Sequence, residues 1–211
     1  KHGVNFVAAS PGQMFRQLSD EPLPRRIARL EVSGARLPVG SGLLFLQSFD
    51  RVLDVYGASE TSKSFANELF IAADGTVALR GVPQDSRVEI VDDAGTPCAV
   101  GQSGQVRVRN GYMATGYLNA PEASSKAFRD GWFYPGDTAL WGQNGELVVL
   151  GREDDVINLG GYKIQAALID ALITMVPGVR EAVAFRNPLP ATKDAMIAFI
   201  VYDDPGNRAN V

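Results

Sequence analysis

The segment VYGASET, residues 55–61, carries three polar side chains of the kinds that contact a nucleotide. The ring of Tyr56 can stack on a purine, the hydroxyl of Ser59 can reach a phosphate oxygen, and the carboxylate of Glu60 can hold a magnesium ion. In α/β folds, ligand contacts lie where a strand ends and a turn begins. An ordinary polar turn after a strand has the same composition, so this segment alone leaves both interpretations open.

A second acid and a base flank a predicted hairpin further along the chain. Asp137 ends the segment GWFYPGD, and Arg152 ends the segment ELVVLGR. The QNG turn at residues 143–145 predicts that the two strands pair, which puts Asp137 and Arg152 at the same end of the hairpin. A carboxylate there can accept hydrogen bonds from two neighbouring sugar hydroxyls. The alternative is a surface ion pair of little energetic consequence.

The segment GREDDVINLGGYKI, residues 151–164, places four consecutive charged residues between a predicted strand and a Gly-Gly turn. Such a run is typical of a solvated linker and indicates a hinge. Gly160 and Gly161 allow either a left-handed turn or close approach of the backbone to a ligand.

Alternating helices and strands in the first third of the chain must position the first of these segments. Residues 11–18 have the apolar spacing of a short helix, and the segment RLEVSG predicts a strand that stops at Gly34. A second helix is predicted over residues 39–49, followed by a strand RVLDVYG that ends at Gly57. This order is typical of the edge of an α/β sheet.

From about Asn67 the pattern changes to short alternating strands with turn signals between them, which predicts an antiparallel, barrel-like β-subdomain over residues 67–152. One short helix is expected within it at residues 121–127, because Pro121 suits the first turn of a helix.

After residue 152, a helix and two strands follow the charged linker, which predicts a separate small α+β domain over residues 153–211. The helix should cover residues 167–176. It has an apolar face formed by four residues at helical spacing: Leu168, Ala171, Leu172 and Met175.

Composition excludes several classes of function. The chain of 211 residues has a formal net charge of -4, which argues against a nucleic-acid-binding protein. It contains no apolar run long enough to span a membrane. Cys98 is its single cysteine, so no internal disulfide can form, and a reducing, cytoplasmic location is expected. His2 is its single histidine, which argues against a histidine-based triad or zinc cluster.

Together, the order and spacing of the three segments resemble the adenylate-forming, or AMP-binding, superfamily. This superfamily includes acyl-CoA synthetases, luciferases and the adenylation domains of peptide synthetases. VYGASET resembles its Tyr-Gly-x-Thr-Glu signature, with serine in the threonine position, and GWFYPGD is similar to its Gly-Asp ribose motif. GREDDVINLGGYKI is similar to its hinge and the turn that follows, and GYMATGYLNAPEASSKAF resembles its usual approach to the ribose motif.

The resemblance implies a multi-domain fold. Residues 1–66 would end the α/β subdomain of a large N-terminal domain, residues 67–152 would form the barrel-like subdomain, and residues 153–211 would be an incomplete small C-terminal domain.

The resemblance also implies a site and a reaction. A small carboxylic acid would react with ATP, with Mg²⁺ bound, to give an acyl-adenylate, and the acyl group would then pass to the thiol of CoA or of a carrier protein. The implied nucleotide contacts are Gly34, Ala35, Arg36, Tyr56, Gly57, Ser59, Asp137, Val149 and Arg152. Glu60 would bind magnesium, Asp154 would be the hinge, and Gly160, Gly161 and Lys163 would line the thiol channel.

Two basic elements of the superfamily have no counterpart within these 211 residues: the Ser/Thr/Gly-rich phosphate loop with its lysine, and a lysine in a late Gly-Lys turn. No catalytic residue is therefore assigned. The resemblance predicts part of a longer acid–thiol ligase that is inactive as these residues alone. The alternative is a non-catalytic module that binds AMP or docks a carrier protein.

Overall fold

A computed structural model of the protein describes residues 3–18, 21–34, 37, 42–159, 162–186 and 196–202. The chain divides into two compact units. The first contains the residues up to Pro135 together with Leu140–Val148, and the second contains Gly136–Ala139 and the residues from Val149 onward.

The first unit begins with a five-stranded sheet whose strands lie side by side in chain order. These strands are β1 (Phe6–Ala9), β2 (Ile27–Ser33), β3 (Phe49–Ala58), β4 (Ser62–Ile71) and β5 (Val77–Pro83). Strands β1 to β3 are parallel, while β4 and β5 continue the sheet in antiparallel pairing.

Two helices make the crossovers that parallel strands require. They are α1 (Pro11–Leu18), between β1 and β2, and α2 (Gly42–Ser48), between β2 and β3. Their apolar side chains form one core with the sheet, and its fully buried members include Leu30, Phe45 and Phe49. This core fixes the positions of β2 and β3, the two strands that lead to the predicted site.

The second sheet is antiparallel and has the order β11-β10-β7-β9-β8, with β6 paired to β7. Its strands are β6 (Arg87–Val91), β7 (Gly104–Arg109), β8 (Phe128–Arg129), β9 (Trp132–Phe133), β10 (Asp137–Trp141) and β11 (Leu147–Arg152). The short helix α3 (Pro121–Ala127) precedes β8, at the residues predicted for it. Strands β10 and β11 each pass from one unit into the other.

A buried side chain connects the two sheets of the first unit. The Asn67 amide nitrogen donates to the Leu147 carbonyl at 2.9 Å, and the Leu147 N–H donates to the Asn67 amide oxygen at 2.9 Å. Asn67 is 6% exposed and Leu147 is 3% exposed, so water cannot easily replace either bond. Asn67 thereby satisfies both backbone polar groups of Leu147.

Trp132 of the GWFYPGD segment is buried beneath two arginines of the second sheet. The guanidinium carbons of Arg107 and Arg87 lie 4.4 and 5.4 Å from its ring centroid. Both arginines donate to the Glu89 carboxylate, through Nε, at 2.8 and 2.7 Å respectively. Burial raises the pKa of Glu89, but the hydrogen bonds and charges of the two arginines outweigh it, so the pKa lies below that of an ordinary glutamate.

The second unit contains a turn of 3₁₀ helix (Glu153–Asp155), the strand pair β12 (Val156–Leu159) and β13 (Tyr162–Gln165), helix α4 (Ala166–Thr174), and the strand pair β14 (Val179–Arg186) and β15 (Met196–Tyr202). Both strand pairs are antiparallel. The Asp170 carboxylate of α4 accepts the Ala184 N–H of β14 at 2.5 Å. This bond directs the Asp170 face of the helix toward the strands.

The predictions for two helices were wrong in part. The second helix ends at Ser48, and Phe49 begins β3 instead, because Phe49 pairs with Ile27 of β2 and is fully buried. Residues 39–41 of that predicted helix lie outside the described residues. The predicted apolar face of the later helix is exposed, by 43% at Leu168, 66% at Leu172 and 78% at Met175.

Antiparallel pairing already starts at β4, and Asn67 lies inside that strand. The domain boundaries at 66/67 and 152/153 stay predictions. Among the helices that the structure describes, none is both long and apolar enough to cross a membrane.

Candidate functional site

The carboxyl ends of the parallel strands β2 and β3 bring Gly34 and the start of the VYGASET segment side by side. Ser33 pairs with Val55, so Gly34 and Tyr56 are the next residues along the two strands. Gly34 has a φ of +84°, a conformation that favours glycine, and it ends the strand with open space around it. Tyr56 is half-buried. Ala35 and Arg36, the other predicted contacts here, lie outside the described residues.

Strand β3 continues one residue past its predicted end, to Ala58, and Gly57 lies within it. The pairing of β3 with β4 shifts register between Tyr56 and Gly57, and a Cβ on Gly57 would lie 2.2 Å from the Ser62 carbonyl oxygen. Glycine is therefore required at residue 57 because another backbone segment passes too closely for any side chain.

A tight turn after β3 presents Ser59 and Glu60. The turn is closed by the Thr61 N–H, which donates to the Ala58 carbonyl at 3.2 Å. Ser59 is exposed and Glu60 is half-exposed, whereas Thr61 is buried with its hydroxyl 2.9 Å from that of Ser64. The hydroxyl of Ser59 and the carboxylate of Glu60 thus project from a turn whose base is anchored in the sheet.

Sequence reasoning missed the partner of Glu60. The Tyr117 hydroxyl donates to Glu60 Oε1 at 2.6 Å, from a segment 57 residues further along the chain. The same segment donates the Ala114 N–H to the Glu60 carbonyl at 2.8 Å. The stretch GYMATGYLNAPEASSKAF was recognised as part of the resemblance, but nothing in its composition indicates which residue Tyr117 would contact.

In the second unit, Asp137 and Arg152 lie at the open end of the β10–β11 hairpin, as the QNG turn predicted. Arg152 Nε is 3.9 Å from Asp137 Oδ1, an ion-pair contact that is longer than a hydrogen bond. The Arg152 side chain is 60% exposed and that of Asp137 is 17% exposed. The Glu153 N–H donates to the Gly136 carbonyl at 2.8 Å and ties the two strands together beyond this pair.

The remaining predicted residues of the second unit are spread along its chain. Val149 is half-buried in β11, and Asp154 is exposed in the 3₁₀ turn that follows this strand. Lys163 lies in β13, where its backbone is paired with Asn158 of β12. Gly160 and Gly161 lie outside the described residues.

The turn after β3 presents the Glu60 carboxylate as a candidate metal ligand. In the part of the chain that the structure describes, no group of three or more His, Cys, Asp or Glu side chains is arranged to hold a metal ion. Glu60 by itself fits magnesium, because Mg²⁺ is usually bound through one or two carboxylates together with water and substrate phosphates.

Comparisons with known proteins assign the chain to a family. The model of the AMP-binding enzyme family matches residues 1–118. Pseudomonine synthase PmsE of Pseudomonas entomophila is 31% identical over 99% of this chain and 35% of its own length. A 3-hydroxybenzoate–CoA/4-hydroxybenzoate–CoA ligase of Thauera aromatica is 31% identical over 97% of this chain and 40% of its own length.

Solved structures show the same fold. O-succinylbenzoate coenzyme A synthetase MenE from Bacillus subtilis, in complex with AMP, matches 97% of this chain with a TM-score of 0.79 and 22% identity. ATP-bound MatB from Rhodopseudomonas palustris matches 98% of it with a TM-score of 0.79. In both cases the match covers 42% of the solved chain.

The chain has the fold of part of these solved structures: an α/β edge and an antiparallel β-subdomain are followed by a small α+β domain. The chain belongs to the AMP-binding enzyme family. It spans 35% and 40% of the length of the two curated relatives, so it corresponds to part of each of them.

Proposed function

We propose that this chain is part of an ATP-dependent carboxylate-activating ligase. The carboxylate of a small acid attacks the α-phosphorus of ATP, pyrophosphate leaves, and an acyl-adenylate forms. The acyl group then passes to the thiol of CoA or of a carrier protein, and AMP is released. The observation that carries this proposal is the arrangement of Asp137 and Arg152 at one end of a hairpin, in a chain of the AMP-binding family.

Residues at the carboxyl ends of β2 and β3 would contact the base, the phosphate and the metal. Tyr56 would stack on the adenine beside Gly34, and the exposed hydroxyl of Ser59 would donate to the α-phosphate. The Glu60 carboxylate would be one ligand of Mg²⁺, whose charge offsets that of the phosphates. The placement of Gly34 and Tyr56 on adjacent parallel strands supports this assignment.

The second unit would contact the ribose and control the change between the two half-reactions. Asp137 would accept hydrogen bonds from the 2′- and 3′-hydroxyls, and Arg152 would support the ribose or a phosphate. Val149 would pack against the nucleoside. Asp154, exposed in the 3₁₀ turn, would be the hinge, and Lys163 with the neighbouring glycines would line the thiol channel.

Catalysis of the first step depends on positioning and on charge neutralisation, because it is an in-line displacement at phosphorus. The residues assigned here position adenosine and one metal ligand. The phosphate-loop and late lysine elements are not found within these 211 residues. We therefore infer that the 211 residues bind the nucleotide but do not activate the acid by themselves.

Equilibrium binding of AMP tests the proposal directly. The 211-residue chain should bind AMP more tightly than it binds GMP, and Tyr56→Leu should weaken AMP binding by roughly 3- to 10-fold through loss of stacking. Tyr112→Leu is the matched control, because Tyr112 is an exposed tyrosine of the same unit whose hydroxyl donates to the Asp85 carbonyl.

Two results would contradict the proposal. Absence of measurable AMP binding would show that this chain has no nucleotide site. Equal losses of AMP affinity in the two tyrosine variants would show that Tyr56 does not contact AMP. ATP–pyrophosphate exchange by the 211 residues should be absent, and robust exchange would show that the missing lysine elements are not needed.

A further inference from the structure

The Glu60 side chain is held in place by a residue that none of the predicted site segments contains. The Tyr117 hydroxyl donates to Glu60 Oε1 at 2.6 Å, a short, charge-assisted hydrogen bond. Because this bond engages one carboxylate oxygen, it orients the group and directs the other oxygen away from Tyr117. An acceptor-only carboxylate oriented in this way is suited to a cation.

Tyr117 is itself braced by the helix that follows it. The Tyr117 N–H donates to Ser124 Oγ at 2.7 Å, and Ser124 Oγ donates to the Ala120 carbonyl at 2.8 Å. The Tyr117 ring packs edge-on against Phe128, with the centroids 5.3 Å apart. The hydroxyl that meets Glu60 is therefore placed by helix α3 and the aromatic contact behind it.

The backbone of Glu60 is tied to the same segment. The Ala114 N–H donates to the Glu60 carbonyl at 2.8 Å, three residues before Tyr117. One segment thus fixes both the main chain and the carboxylate of Glu60. Packing of this segment against the turn at residues 58–61 does not require a hydrogen bond to the Glu60 carboxylate, so that bond indicates a role in orienting the carboxylate.

We propose that Tyr117 is a positioning residue for the metal-binding carboxylate of Glu60, and that it holds Glu60 ready for the divalent cation of a nucleoside triphosphate. This inference rests on the proposed function, since Glu60 is a metal ligand only under that function. Hydrogen-bonded partners of metal ligands typically contribute 10- to 100-fold to metal affinity. Tyr117 is 38% exposed, which places the expected effect at the lower end, about 10-fold.

The test measures Mn²⁺ binding to the 211-residue chain with ATP at an equal concentration, by the enhancement of water-proton relaxation, which distinguishes Mn²⁺–ATP on the protein from Mn²⁺–ATP in solution. Tyr117→Phe removes only the hydroxyl and should weaken Mn²⁺ binding about 10-fold. Tyr112→Phe is the matched control, because its hydroxyl donates to the Asp85 carbonyl at 3.2 Å, and it should leave Mn²⁺ affinity unchanged. Glu60→Gln should weaken Mn²⁺ binding more than Tyr117→Phe does.

A second readout separates positioning from a general structural role. AMP binding without metal and the midpoint of thermal unfolding should be the same in Tyr117→Phe as in the unaltered chain. If metal-free AMP binding falls as much as Mn²⁺ binding, Tyr117 is a structural residue and the inference is overturned. It is also overturned if Tyr117→Phe matches Tyr112→Phe in Mn²⁺ affinity.

The Glu60→Gln variant distinguishes failure of this inference from failure of the proposed function. If Glu60→Gln lowers Mn²⁺ affinity and Tyr117→Phe does not, Glu60 is a metal ligand but Tyr117 does not position it. If Glu60→Gln has no effect, the metal assignment itself is wrong, and the inference falls with it. The same conclusion follows if the unaltered chain binds no Mn²⁺ with ATP.

Discussion

Replacement of Asn67 by alanine should destabilise the protein strongly, because Asn67 makes two buried hydrogen bonds to one residue. The variant leaves both the N–H and the carbonyl of Leu147 without their 2.9 Å partners, at a position that is only 3% exposed. An unsatisfied buried polar group costs about 1–3 kcal/mol. Two such groups give an expected loss of about 2–6 kcal/mol in the free energy of unfolding.

Urea denaturation followed by circular dichroism measures this loss. A loss of about 3 kcal/mol corresponds to a fall of roughly 6–12 °C in the melting temperature of a chain of this size. The dependence of the unfolding free energy on urea concentration should stay unchanged, because the surface exposed on unfolding is the same. Asn144→Ala is the control, since the Asn144 amide makes one exposed bond, of 3.2 Å, to the Leu79 carbonyl.

The control should lose less than about 1 kcal/mol. If Asn67→Ala is also destabilised by less than about 1 kcal/mol, the reasoning is refuted, because water or a neighbouring group would then satisfy Leu147.

Two further variants test features of the first unit. Gly57→Ala would place a Cβ 2.2 Å from the Ser62 carbonyl oxygen, so it should cost about 3 kcal/mol of stability and weaken AMP binding, measured by urea denaturation and calorimetry. Glu89→Gln removes a carboxyl whose folded-state pKa is lowered by Arg107 and Arg87 in spite of burial. The stability that this carboxyl contributes is present above its unfolded pKa of about 4.5 and is lost as the pH falls through the lower folded value. The stability difference between Glu89→Gln and the unaltered chain should therefore shrink as the pH falls below about 4.5, as followed by urea denaturation at each pH.

Matched substitutions accompany these variants. Gly111→Ala meets no atom within 4 Å and should leave stability unchanged, so an equal loss in both glycine variants would contradict the steric argument. Glu122→Gln replaces an exposed glutamate and should not alter the acid dependence of stability. A stability difference for Glu89→Gln that stays constant across the acid range would show that the two arginines do not lower the pKa of Glu89 in the folded protein.

The hairpin that brings Asp137 and Arg152 together was predictable because its signals are local. The QNG turn and the alternating residues on either side of it determine the pairing without help from distant residues. The order of helix and strand before Tyr56 was predictable for the same reason, since the apolar spacing and Gly34 lie within the elements themselves.

The errors arose where tertiary contacts outweigh local pattern. The strand beginning at Phe49 has no local boundary signal, and its start is fixed by pairing with Ile27. The exposed face of α4 has helical apolar spacing, but the bond from the Ala184 N–H to Asp170 turns a polar residue toward β14 instead. Apolar periodicity shows that a helix has an apolar face, but it does not show whether another element packs against that face.

The role proposed for Tyr117 could not be predicted from sequence, because it depends on a contact across 57 residues. Composition marks Glu60 as a metal-binding candidate, and the resemblance covers the segment around Tyr117. Only the fold brings the phenol hydroxyl to the carboxylate, through α3 and the packing of Phe128.

The most direct test of the central claim, that Asp137 binds the ribose hydroxyls, compares AMP with 2′,3′-dideoxy-AMP by isothermal titration calorimetry. Asp137→Ala should weaken AMP binding by roughly 10- to 100-fold, because hydrogen bonds to a charged group contribute about 1.5–3 kcal/mol. Asp137→Ala should leave the weaker binding of dideoxy-AMP unchanged, since that ligand lacks the hydroxyls that Asp137 would bind. Asp155→Ala, which removes an exposed acid of the same unit, should affect neither ligand. Equal weakening of both ligands by Asp137→Ala, or no weakening of either, would contradict the account.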